Sequence, residues 1–459
     1  MTTKASRREF LRTASALSIA GSATPLVVNL AAMSAASAQT MPTDYKALVC
    51  VFLYGGNDHS NMIVPVDNTN YQLYAQSRAN LALPQNSLLP MTTPTNASMV
   101  GRQVGMRAEM APLKALYDQG RVAVVANIGS MRAPTTMAQY RARSVPLPMG
   151  LFSHNDQQSN WQSFGAEGTR IGWGGRLGDL FAAANAFQNV TTISTSGAAV
   201  FVSGANVAQL QLGSNGAQGI PVLNANATVY GSTAAATNSL RTMMTDTGRA
   251  NVFEKDYNKI LKRSTDAAAA INTALGAVTL ATAFPNTGLG NQMRNVTRMI
   301  AARSTLGARR QVFHVSIGGF DQHSGLVNGH GPLWTQISNA MSAFYAATVE
   351  LGIQNSVTAF TASDFGRTLD SNGQGSDHGW GAHHVVVGGA VRGGDVYGTW
   401  PDTVLRGAND VGRGILLPTT SVDQLVGTFS TWFGVPAANL RDVIPNAANW
   451  TSLDLGLLA

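Results

Sequence analysis

Five apolar segments, rich in β-branched and aromatic residues, recur along the chain, and each one ends in glycine or in short polar residues. They span residues 45–54, 121–128, 311–317, 356–362 and 384–387. Near-continuous apolar runs of this length are typical of strands that are buried on both faces of a parallel sheet. The pattern therefore predicts the central strands of an α/β protein.

Segments in which apolar residues recur at helical spacing lie between these strands. They span residues 109–118, 136–143, 176–184, 332–351 and 422–433. Alternating strands and helices predict a three-layer α/β/α sandwich with a mainly parallel sheet. Residues 186–295 interrupt the alternation because they are rich in Ala, Thr, Asn, Ser and Gly, and we expect them to form an insertion or cap over the sheet.

The first 38 residues have the parts of an export signal. Two arginines, Arg7 and Arg8, precede a weakly apolar stretch that ends in small residues at Ala38. This order resembles a twin-arginine signal, which implies recognition by the twin-arginine translocase and a periplasmic or secreted mature protein of residues 39–459. A membrane anchor is the alternative. However, glycine, proline and serine interrupt the stretch, which lacks the roughly 20 continuous apolar residues of a spanning helix. We therefore expect no stable membrane insertion after cleavage.

Charged residues are scarce, since they make up 12% of the 459 residues, and the formal net charge is +7. The predicted signal carries four basic residues and one acidic residue, so its removal leaves the mature chain near +4. The sequence has no Lys/Arg cluster and no helix-turn-helix or zinc-finger spacing, which argues against nucleic-acid binding. The single cysteine, Cys50, lies in the first predicted strand, where we expect a buried thiol.

Acidic residues and histidines follow the predicted strands at the positions where they end. Asp58 follows the first strand in GGNDHSN, Asp321 and His323 follow another in GGFDQH, and Asp364 follows a third in ASDFGR. The block SDHGWGAHH, which contains Asp377, His378 and His383, precedes the last strand. Six of the eight histidines fall between residues 314 and 384. Residues just beyond the carboxyl ends of parallel strands meet at one edge of the sheet, where α/β proteins bind ligands.

Carboxylates and imidazoles are the ligands of zinc and, with other oxygen donors, of hard divalent ions. The sequence therefore predicts a site for a divalent metal ion (zinc, manganese, calcium or magnesium). Its candidate ligands are Asp58, Asp321, His323, Asp364, Asp377, His378 and His383. Neighbouring residues of a strand face opposite sides, so only one of His383 and His384 points to the edge, and we favour His383.

Several of these residues have a structural interpretation as well. Asp58 is also suited to capping the turn that follows it. We expect His59 and His330 in solvated loops, and His314, which lies in the middle of a predicted strand, within the core or the sheet.

Four phrases in the chain resemble a bacterial family known as domain of unknown function 1501. They are FLYGGNDHSNMIVP, GGFDQH, ASDFGRTLDSNGQGSDHG and VVVGGAVRGGDVYG, in this order behind a twin-arginine leader. The family is remotely similar to the alkaline phosphatase and sulfatase superfamily. This resemblance implies an alkaline-phosphatase-like fold with metal sites at the strand ends.

Carried over by position, the superfamily pattern assigns roles to individual residues. Asp58 matches the aspartate after the first strand, Asp321 with His323 resembles the pair for one metal, and His383 is the last ligand. The Asp-His pair corresponds either to Asp377 with His378 or to Asp364, which directly follows its strand. The chain departs from the pattern because Asp321 and His323 are two residues apart rather than four. Asp364 also stands where the family usually has glutamate before Phe-Gly-Arg.

The resemblance also implies a nucleophile. Ser153 and His154 begin a segment in which the family has Ser-His before a helix. A serine at a helix amino end is placed to attack phosphorus or sulfur while backbone N–H groups hold the anionic oxygens. The alternative is an ordinary N-cap. Arg367 either clamps the substrate anion or neutralises Asp364 or Asp370.

The residues and the resemblance together indicate an exported, metal-dependent hydrolase of phosphate or sulfate esters, with a small anionic ester or a glycan as substrate. The alternative is a non-catalytic envelope binding protein that keeps the hydrolase-like fold and a structural metal. The sequence contains no Gly-x-Ser-x-Gly elbow, no P-loop and no dinucleotide-binding fingerprint after a strand. Kinase, nucleotide-cofactor and serine-elbow esterase functions therefore have no motif to support them.

Overall fold

A ten-stranded mixed sheet runs through the body of the protein, which extends from Asp44 to Ala459 in the computed structural model. The structure describes residues 42–213, 216–220, 227–228 and 231–459. The predicted export signal lies outside the described residues. None of the described helices is both long and apolar enough to cross a bilayer.

The strands and helices are numbered here in chain order. The strands are β1 Lys46–Leu53, β2 Ile63–Pro65, β3 Leu89–Pro90, β4 Val104–Met106, β5 Val122–Gly129, β6 Thr192–Ser194, β7 Leu210–Gly213, β8 Gly216–Ala217, β9 Arg310–Ile317, β10 Val357–Ser363, β11 Ala382–Gly388, β12 Val396–Tyr397 and β13 Thr420–Ser421. The helices are α1 Asn68–Arg78, α2 Ala111–Asp118, α3 Met137–Ala142, α4 His154–Ser163, α5 Trp173–Phe181, α6 Ala234–Thr245, α7 Val252–Gly276, α8 Gly288–Ala301, α9 Leu326–Glu350, α10 Val422–Phe433 and α11 Leu440–Val443.

The main sheet has the strand order β12-β5-β11-β10-β1-β9-β6-β7-β8, and β13 also pairs with β5. The central strand β1 is parallel to both of its neighbours, β10 and β9. β11 is antiparallel to β10 and β5. Because β11 runs in the opposite direction, its amino end lies at the same edge of the sheet as the carboxyl ends of β1, β9 and β10.

Side chains on both faces of the sheet pack against helices. In β1, Val49 and Val51 belong to a core that includes Trp334 and Met341 of α9. Leu48, Cys50 and Phe52 of β1 belong to a second core on the other face, which includes residues of α5 and α10. The two cores explain why β1 is apolar at nearly every position. They also confirm the predicted three-layer α/β sandwich.

The predicted elements match the observed ones closely. The five predicted strands correspond to β1, β5, β9, β10 and β11, and the five predicted helices to α2, α3, α5, α9 and α10. Cys50 is 2% exposed, and burial raises the pKa of its thiol. Residues 192–217 add β6, β7 and β8 to the sheet beyond β9, and α6 and α7 follow. The role of residues 186–295 as an insertion or cap stays a prediction.

A buried carboxyl lies in the first turn of α10. Ser421 caps this helix, since its hydroxyl oxygen accepts a hydrogen bond from the backbone N–H of Asp423. The Asp423 side chain is buried and accepts a hydrogen bond from the Ser421 hydroxyl at 2.8 Å. Burial raises the pKa of Asp423 from 3.8 to about 6, because the hydrogen bonds to the carboxylate offset only part of its desolvation.

We expect Asp423→Asn to make the protein more stable at neutral pH relative to the wild type. A carboxyl with a native pKa near 6 is protonated in the folded state at pH values at which it ionises in the unfolded chain. The contribution of the Asp423 carboxyl to the free energy of unfolding is therefore complete below pH 3.8 and is lost as the pH rises through 6. The free energy of unfolding of the wild type, relative to that of Asp423→Asn, falls by about 3 kcal/mol over this range. Urea unfolding at pH 4 to 7.5 measures this difference, and a constant difference would contradict the prediction.

Candidate metal centre

Three imidazole nitrogens surround one carboxylate oxygen at the edge of the sheet. Asp321 Oδ1 lies 3.0 Å from His323 Nε2 and 3.5 Å from both His154 Nε2 and His378 Nε2. His323 Nε2 and His378 Nε2 are themselves 3.0 Å apart. The four side chains therefore direct three nitrogen donors and one oxygen donor into a common space.

These side chains come from three segments that are distant in sequence. His154 is the first residue of α4, Asp321 and His323 lie between β9 and α9, and His378 lies between β10 and β11. The carboxyl end of β9 and the amino end of β11 lie at the same edge of the sheet. The position of the centre thus follows from the sheet topology.

Each of the three imidazoles also has an acceptor for its other ring nitrogen. The Nδ1 atoms of His154, His323 and His378 lie 2.6, 3.0 and 2.6 Å from Asp364 Oδ2, Asp377 Oδ1 and the Phe152 carbonyl oxygen, respectively. An acceptor at Nδ1 places the ring proton there and leaves the Nε2 lone pair free. Carboxylate and carbonyl partners of this kind orient metal-binding histidines in proteins.

The donor atoms fit a divalent ion. Four donors at about 2.0–2.1 Å from a tetrahedral zinc ion are separated from one another by roughly 3.3 Å. Among the described residues, ligand atoms of His154, Asp321 and His378 lie within 4.8 Å of one another, and His323 Nε2 lies 3.0 Å from both Asp321 Oδ1 and His378 Nε2. Two Nε2 lone pairs at 3.0 Å repel each other unless a cation or a shared proton lies between them. Within the part of the chain that the structure describes, the buried Nε2 of His154 has no hydrogen-bond partner. The set of three imidazoles and one carboxylate is best suited to zinc.

Arg367 supports the carboxylate from the protein side. Its guanidinium is fully buried and donates to Asp321 Oδ1 at 2.9 Å, to the Gly55 carbonyl at 3.0 Å and to the Ser376 carbonyl. Burial alone would raise the pKa of Asp321, but the hydrogen bond and charge of Arg367 outweigh it and lower that pKa. Arg367 thus keeps Asp321 ionised and fixes its orientation.

Asp364 connects His154 with the loop after β1. Its Oδ2 atom accepts hydrogen bonds from His154 Nδ1, from the Gly55 backbone N–H at 3.2 Å and from Gln158 Nε2 at 3.0 Å. The hydrogen bond to Asp364 raises the pKa of His154, although burial opposes this. Gly55 has φ +116°, and a Cβ there would lie 2.2 Å from the Asp321 backbone nitrogen. Only glycine allows the two loops to approach so closely.

Phe152 holds His378 through a rare backbone conformation. Its φ is +73°, in the left-handed region that bulky residues seldom adopt. Its carbonyl oxygen lies 2.6 Å from His378 Nδ1. Strained backbone persists where the surrounding structure compensates for it, and such positions cluster at functional sites.

We expect Asp364→Asn to weaken binding of zinc by about 10- to 100-fold, the usual cost of losing an outer partner of a metal-binding histidine. The amide is a poorer acceptor for His154 Nδ1–H than the carboxylate, so the His154 ring loses orientation and basicity. Competition with a chromophoric chelator measures the affinity. The matched control is Asp423→Asn, the same substitution at a buried aspartate of α10, which leaves the affinity unchanged. An unchanged affinity in Asp364→Asn would contradict the role given to Asp364.

Comparison with known proteins identifies the family. The family described as "Protein of unknown function (DUF1501)" matches residues 45–440. The chain belongs to the DUF1501 family. No curated protein matches this DUF1501 member.

Solved structures with a similar arrangement of elements include sulfatases and related enzymes. The PsFucS1 sulfatase from Pseudoalteromonas sp. is 10% identical with a TM-score of 0.33, and the match covers 88% of this chain and 71% of that chain. The lipoteichoic acid synthase LtaP from Listeria monocytogenes is 7% identical with a TM-score of 0.29, at 88% and 78% coverage. The C-terminal periplasmic domain of EcEptC from Escherichia coli is 10% identical with a TM-score of 0.31, at 86% and 83% coverage.

The structure separates the candidate ligands into three groups. Asp321, His323 and His378 supply donor atoms, whereas Asp364 and Asp377 accept hydrogen bonds from the histidines. The hydrogen bonds from Asn372, His323 and Arg413 outweigh the burial of Asp377 and lower its pKa to about 2. The third group consists of Asp58 and His383, whose contacts lie elsewhere.

Asp58 and His383 are both 1% exposed. Asp58 forms an ion pair with the fully buried Arg78. Burial raises the pKa of Asp58 more than the charge of Arg78 lowers it. His383 Nδ1 accepts a hydrogen bond from the Asn127 backbone N–H at 3.0 Å, and its ring stacks on Trp400 at 4.4 Å.

The remaining candidates lie beside the centre or within the core. Ser153 occupies the N-cap position of α4, but its hydroxyl makes no capping hydrogen bond. The expectation of solvated loops for His59 and His330 is wrong, since both side chains are 1% exposed. His330 contacts Arg107, Asn57 and Trp334 in a buried polar network. His314 is buried as expected and hydrogen-bonds to Ser196 at 2.9 Å.

The sequence interpretation did not include His154 among the candidate ligands. The only signal was its position directly after the candidate nucleophile, at the start of a polar helix. The partner Asp364 is 210 residues away in the chain, so the pairing became visible only in the folded structure.

Proposed function

We propose that this DUF1501 member is an exported, metal-dependent hydrolase of phosphate or sulfate esters, acting on a small anionic ester or a glycan. The observation that carries the proposal is the convergence of Asp321 Oδ1 and three histidine Nε2 atoms, each histidine being oriented by an acceptor at Nδ1. Such pre-oriented donors are characteristic of metal centres.

His154, His323, His378 and Asp321 would hold the ion. A bound divalent ion acts as a Lewis acid on an ester oxygen and lowers the pKa of a hydroxyl or water near it. The Nδ1–H groups of the three histidines donate hydrogen bonds to Asp364, Asp377 and the Phe152 carbonyl oxygen, so these ring protons stay on Nδ1. The side chains of the centre would therefore hold the ion and orient the reactants. Another residue would supply the attacking nucleophile.

Ser153 is the proposed nucleophile. It directly precedes His154, and its hydroxyl makes no capping hydrogen bond. The serine hydroxyl would give its proton to water, and its oxygen would form a bond to phosphorus or sulfur as the bond to the ester oxygen breaks and the leaving alkoxide takes a proton from water. A second water would then attack phosphorus or sulfur, which would release phosphate or sulfate and restore the serine hydroxyl. The first N–H groups of α4 have no partner within the helix and point toward this end, where they can donate to the anionic oxygens of the substrate.

Export belongs to the proposal as well. The resemblance of residues 1–38 to a twin-arginine signal supports transport of the folded chain by the twin-arginine translocase. The proposed location of the mature protein is the periplasm or the cell exterior. An amino-terminal sequence that begins near Gln39 in protein recovered from the cell envelope or medium would support this.

Removal of the ion tests the hydrolase directly. We expect protein purified from its native compartment to contain about one zinc or other divalent ion per chain by elemental analysis. It should hydrolyse p-nitrophenyl phosphate or p-nitrophenyl sulfate, lose this activity after dialysis against a chelator, and regain it with added zinc or manganese. Protein without a divalent ion would overturn the metal centre. Protein with the ion but without turnover of either ester would overturn the hydrolase.

One observation favours the alternative of a non-catalytic envelope binding protein. The guanidinium of Arg367 is occupied by Asp321 and two backbone carbonyls, and Asp58 and His383 lie outside the centre. The centre thus has donors for one ion. The guanidinium of Arg367, the buried arginine beside it, already donates hydrogen bonds to other groups of the protein. A structural ion without ester hydrolysis would favour this alternative.

A further inference from the structure

The segment before the metal centre has an unusual charge distribution. Between Asp118 and Asp156 the chain contains four arginines and no acidic residue or lysine. Two of these arginines, Arg141 and Arg143, are exposed. Among the described residues, neither of the two forms an ion pair. This part of the surface therefore carries positive charge that the neighbouring chain does not neutralise.

Arg141 and Arg143 line a cavity of about 600 Å³. Its lining combines the two arginines with aromatic and aliphatic residues. The lining includes Tyr140, Arg141, Arg143, Leu147, Leu151 and Phe152. A positively charged opening beside aromatic surface is suited to an anionic group on a sugar ring, because the arginines bind the anion and the apolar faces pack against the ring.

The wall of the cavity is anchored in a small core. Tyr140, Leu147, Leu151 and Phe152 pack around buried Trp380, and the ring centroids of Tyr140 and Trp380 are 5.8 Å apart. The Trp380 indole donates to the Ser130 carbonyl at 2.9 Å. The apolar part of the lining is therefore already packed against this core, and a ligand does not have to organise it.

The same residues connect the cavity to the metal centre. Phe152 is one of the residues that line the cavity, and its carbonyl oxygen accepts the hydrogen bond from His378 Nδ1. Trp380 lies two residues after His378 in the same loop. Ser153, the proposed nucleophile, directly follows Phe152. The cavity and the metal centre therefore share Phe152, which is the observation that places them next to each other.

We propose that this cavity, defined by Tyr140 to Phe152, is a second anion subsite that binds a sulfate or phosphate group of a glycan whose scissile ester lies at the metal centre. The inference rests on the proposed function in so far as it names a substrate. A second anion subsite predicts that the enzyme prefers glycans with at least two anionic groups to substrates with one anionic ester group. Arg141 and Arg143 are the specificity-determining residues.

Binding and turnover test the subsite separately. The probes are a sulfated dextran oligosaccharide and an uncharged dextran oligosaccharide of equal length, titrated calorimetrically with chelator-treated protein and with zinc-loaded protein. The variant is Arg141→Gln with Arg143→Gln. The control is Arg294→Gln with Arg392→Gln, which removes the same net charge at exposed arginines outside the cavity.

We expect the sulfated probe to bind with and without zinc, and the uncharged probe to bind at least tenfold more weakly. The cavity variant should bind the sulfated probe at least tenfold more weakly than the wild type, whereas the control should change its affinity less than twofold. The ratio of KM for a sulfated oligosaccharide to KM for p-nitrophenyl sulfate should rise at least tenfold in the cavity variant.

Equal losses in both variants, or no loss in the cavity variant, would overturn the subsite. Equal binding of the two probes would also overturn it and would indicate an apolar or neutral ligand. Sulfated dextran binding that depends on Arg141 and Arg143, in a protein without ester hydrolysis, would retain the subsite and reject the proposed hydrolase. Hydrolysis of nitrophenyl esters without such binding would reject the subsite and retain the proposed hydrolase.

Discussion

His378→Gln is expected to remove both the bound ion and the hydrolytic activity. His378 Nε2 lies 3.0 Å from His323 Nε2 and 3.5 Å from Asp321 Oδ1, so its loss removes one of the donors at the centre of the site. Loss of an outer partner of a ligand costs about 10- to 100-fold, and loss of the ligand itself should cost more. We expect zinc affinity to fall more than 100-fold and kcat/KM for the hydrolysed ester to fall on the order of 10³-fold.

The matched control for His378→Gln is His314→Gln. His314 is buried, and it lies in β9, next to the loop that carries Asp321, but its Nδ1 contacts Ser196 rather than the centre. The control should keep its zinc content and activity. Circular dichroism and thermal unfolding of both variants establish that each is folded. Stoichiometric zinc in folded His378→Gln would reject the proposed ligand set.

Arg78→Ala is expected to lower the free energy of unfolding by about 3–5 kcal/mol. The side chains of Arg78 and Asp58 form an ion pair and are 0% and 1% exposed. Arg78 also donates to the carbonyl oxygens of Thr368 and Leu369. Removal of the cation leaves a carboxylate and two carbonyl groups buried without this partner, and the desolvation of an unpaired charge is the largest part of the cost.

Two further variants separate this explanation from a general effect of lost arginine or lysine side chains. Lys114→Ala removes an ion pair with Asp118 that is partly exposed, and it should cost no more than about 0.5 kcal/mol. Asp58→Leu combined with Arg78→Met removes both charges, and we expect it to be more stable than Arg78→Ala. Urea unfolding measures all three variants. A double variant that is as unstable as Arg78→Ala would indicate that packing, not the unpaired charge, causes the loss.

The Asp58 variant also bears on the metal centre. The sequence pattern assigns Asp58 to a metal, whereas the structure pairs it with Arg78. Retention of zinc in folded Asp58→Leu with Arg78→Met would support the centre of Asp321 and the three histidines.

The central strands could be predicted because burial on both sides of the sheet leaves a direct mark on the sequence. In β1 every second side chain faces one core and the others face the second core, so the strand is apolar almost throughout. The carboxyl end of β9 then determines where Asp321 and His323 lie. The position of His378 at the same edge also depends on the antiparallel direction of β11, which the length of the apolar run does not reveal.

The partners of individual polar residues were harder to predict, because they depend on contacts between distant segments. His330 has the polarity of a surface residue, yet Arg107, Asn57 and Trp334 supply partners for it inside the protein. His383 is the second residue of β11, which follows the loop that contains His378. Its ring nevertheless stacks on Trp400. A sequence specifies which side chains need partners, whereas the packing of the layers decides which partners they meet.

The separation of the donors along the chain has a consequence for the order of folding. His154 and His378 are 224 residues apart in sequence, and Asp321 and His323 lie between them. In an unfolded chain, each such long-range contact costs loop-closure entropy. The four donors therefore do not come together before the chain folds. An ion would therefore enter only after the sheet has assembled, and its binding energy would then stabilise the entire body rather than one loop. With such an ion, the thermal stability of the whole protein would depend on the free ion concentration around it.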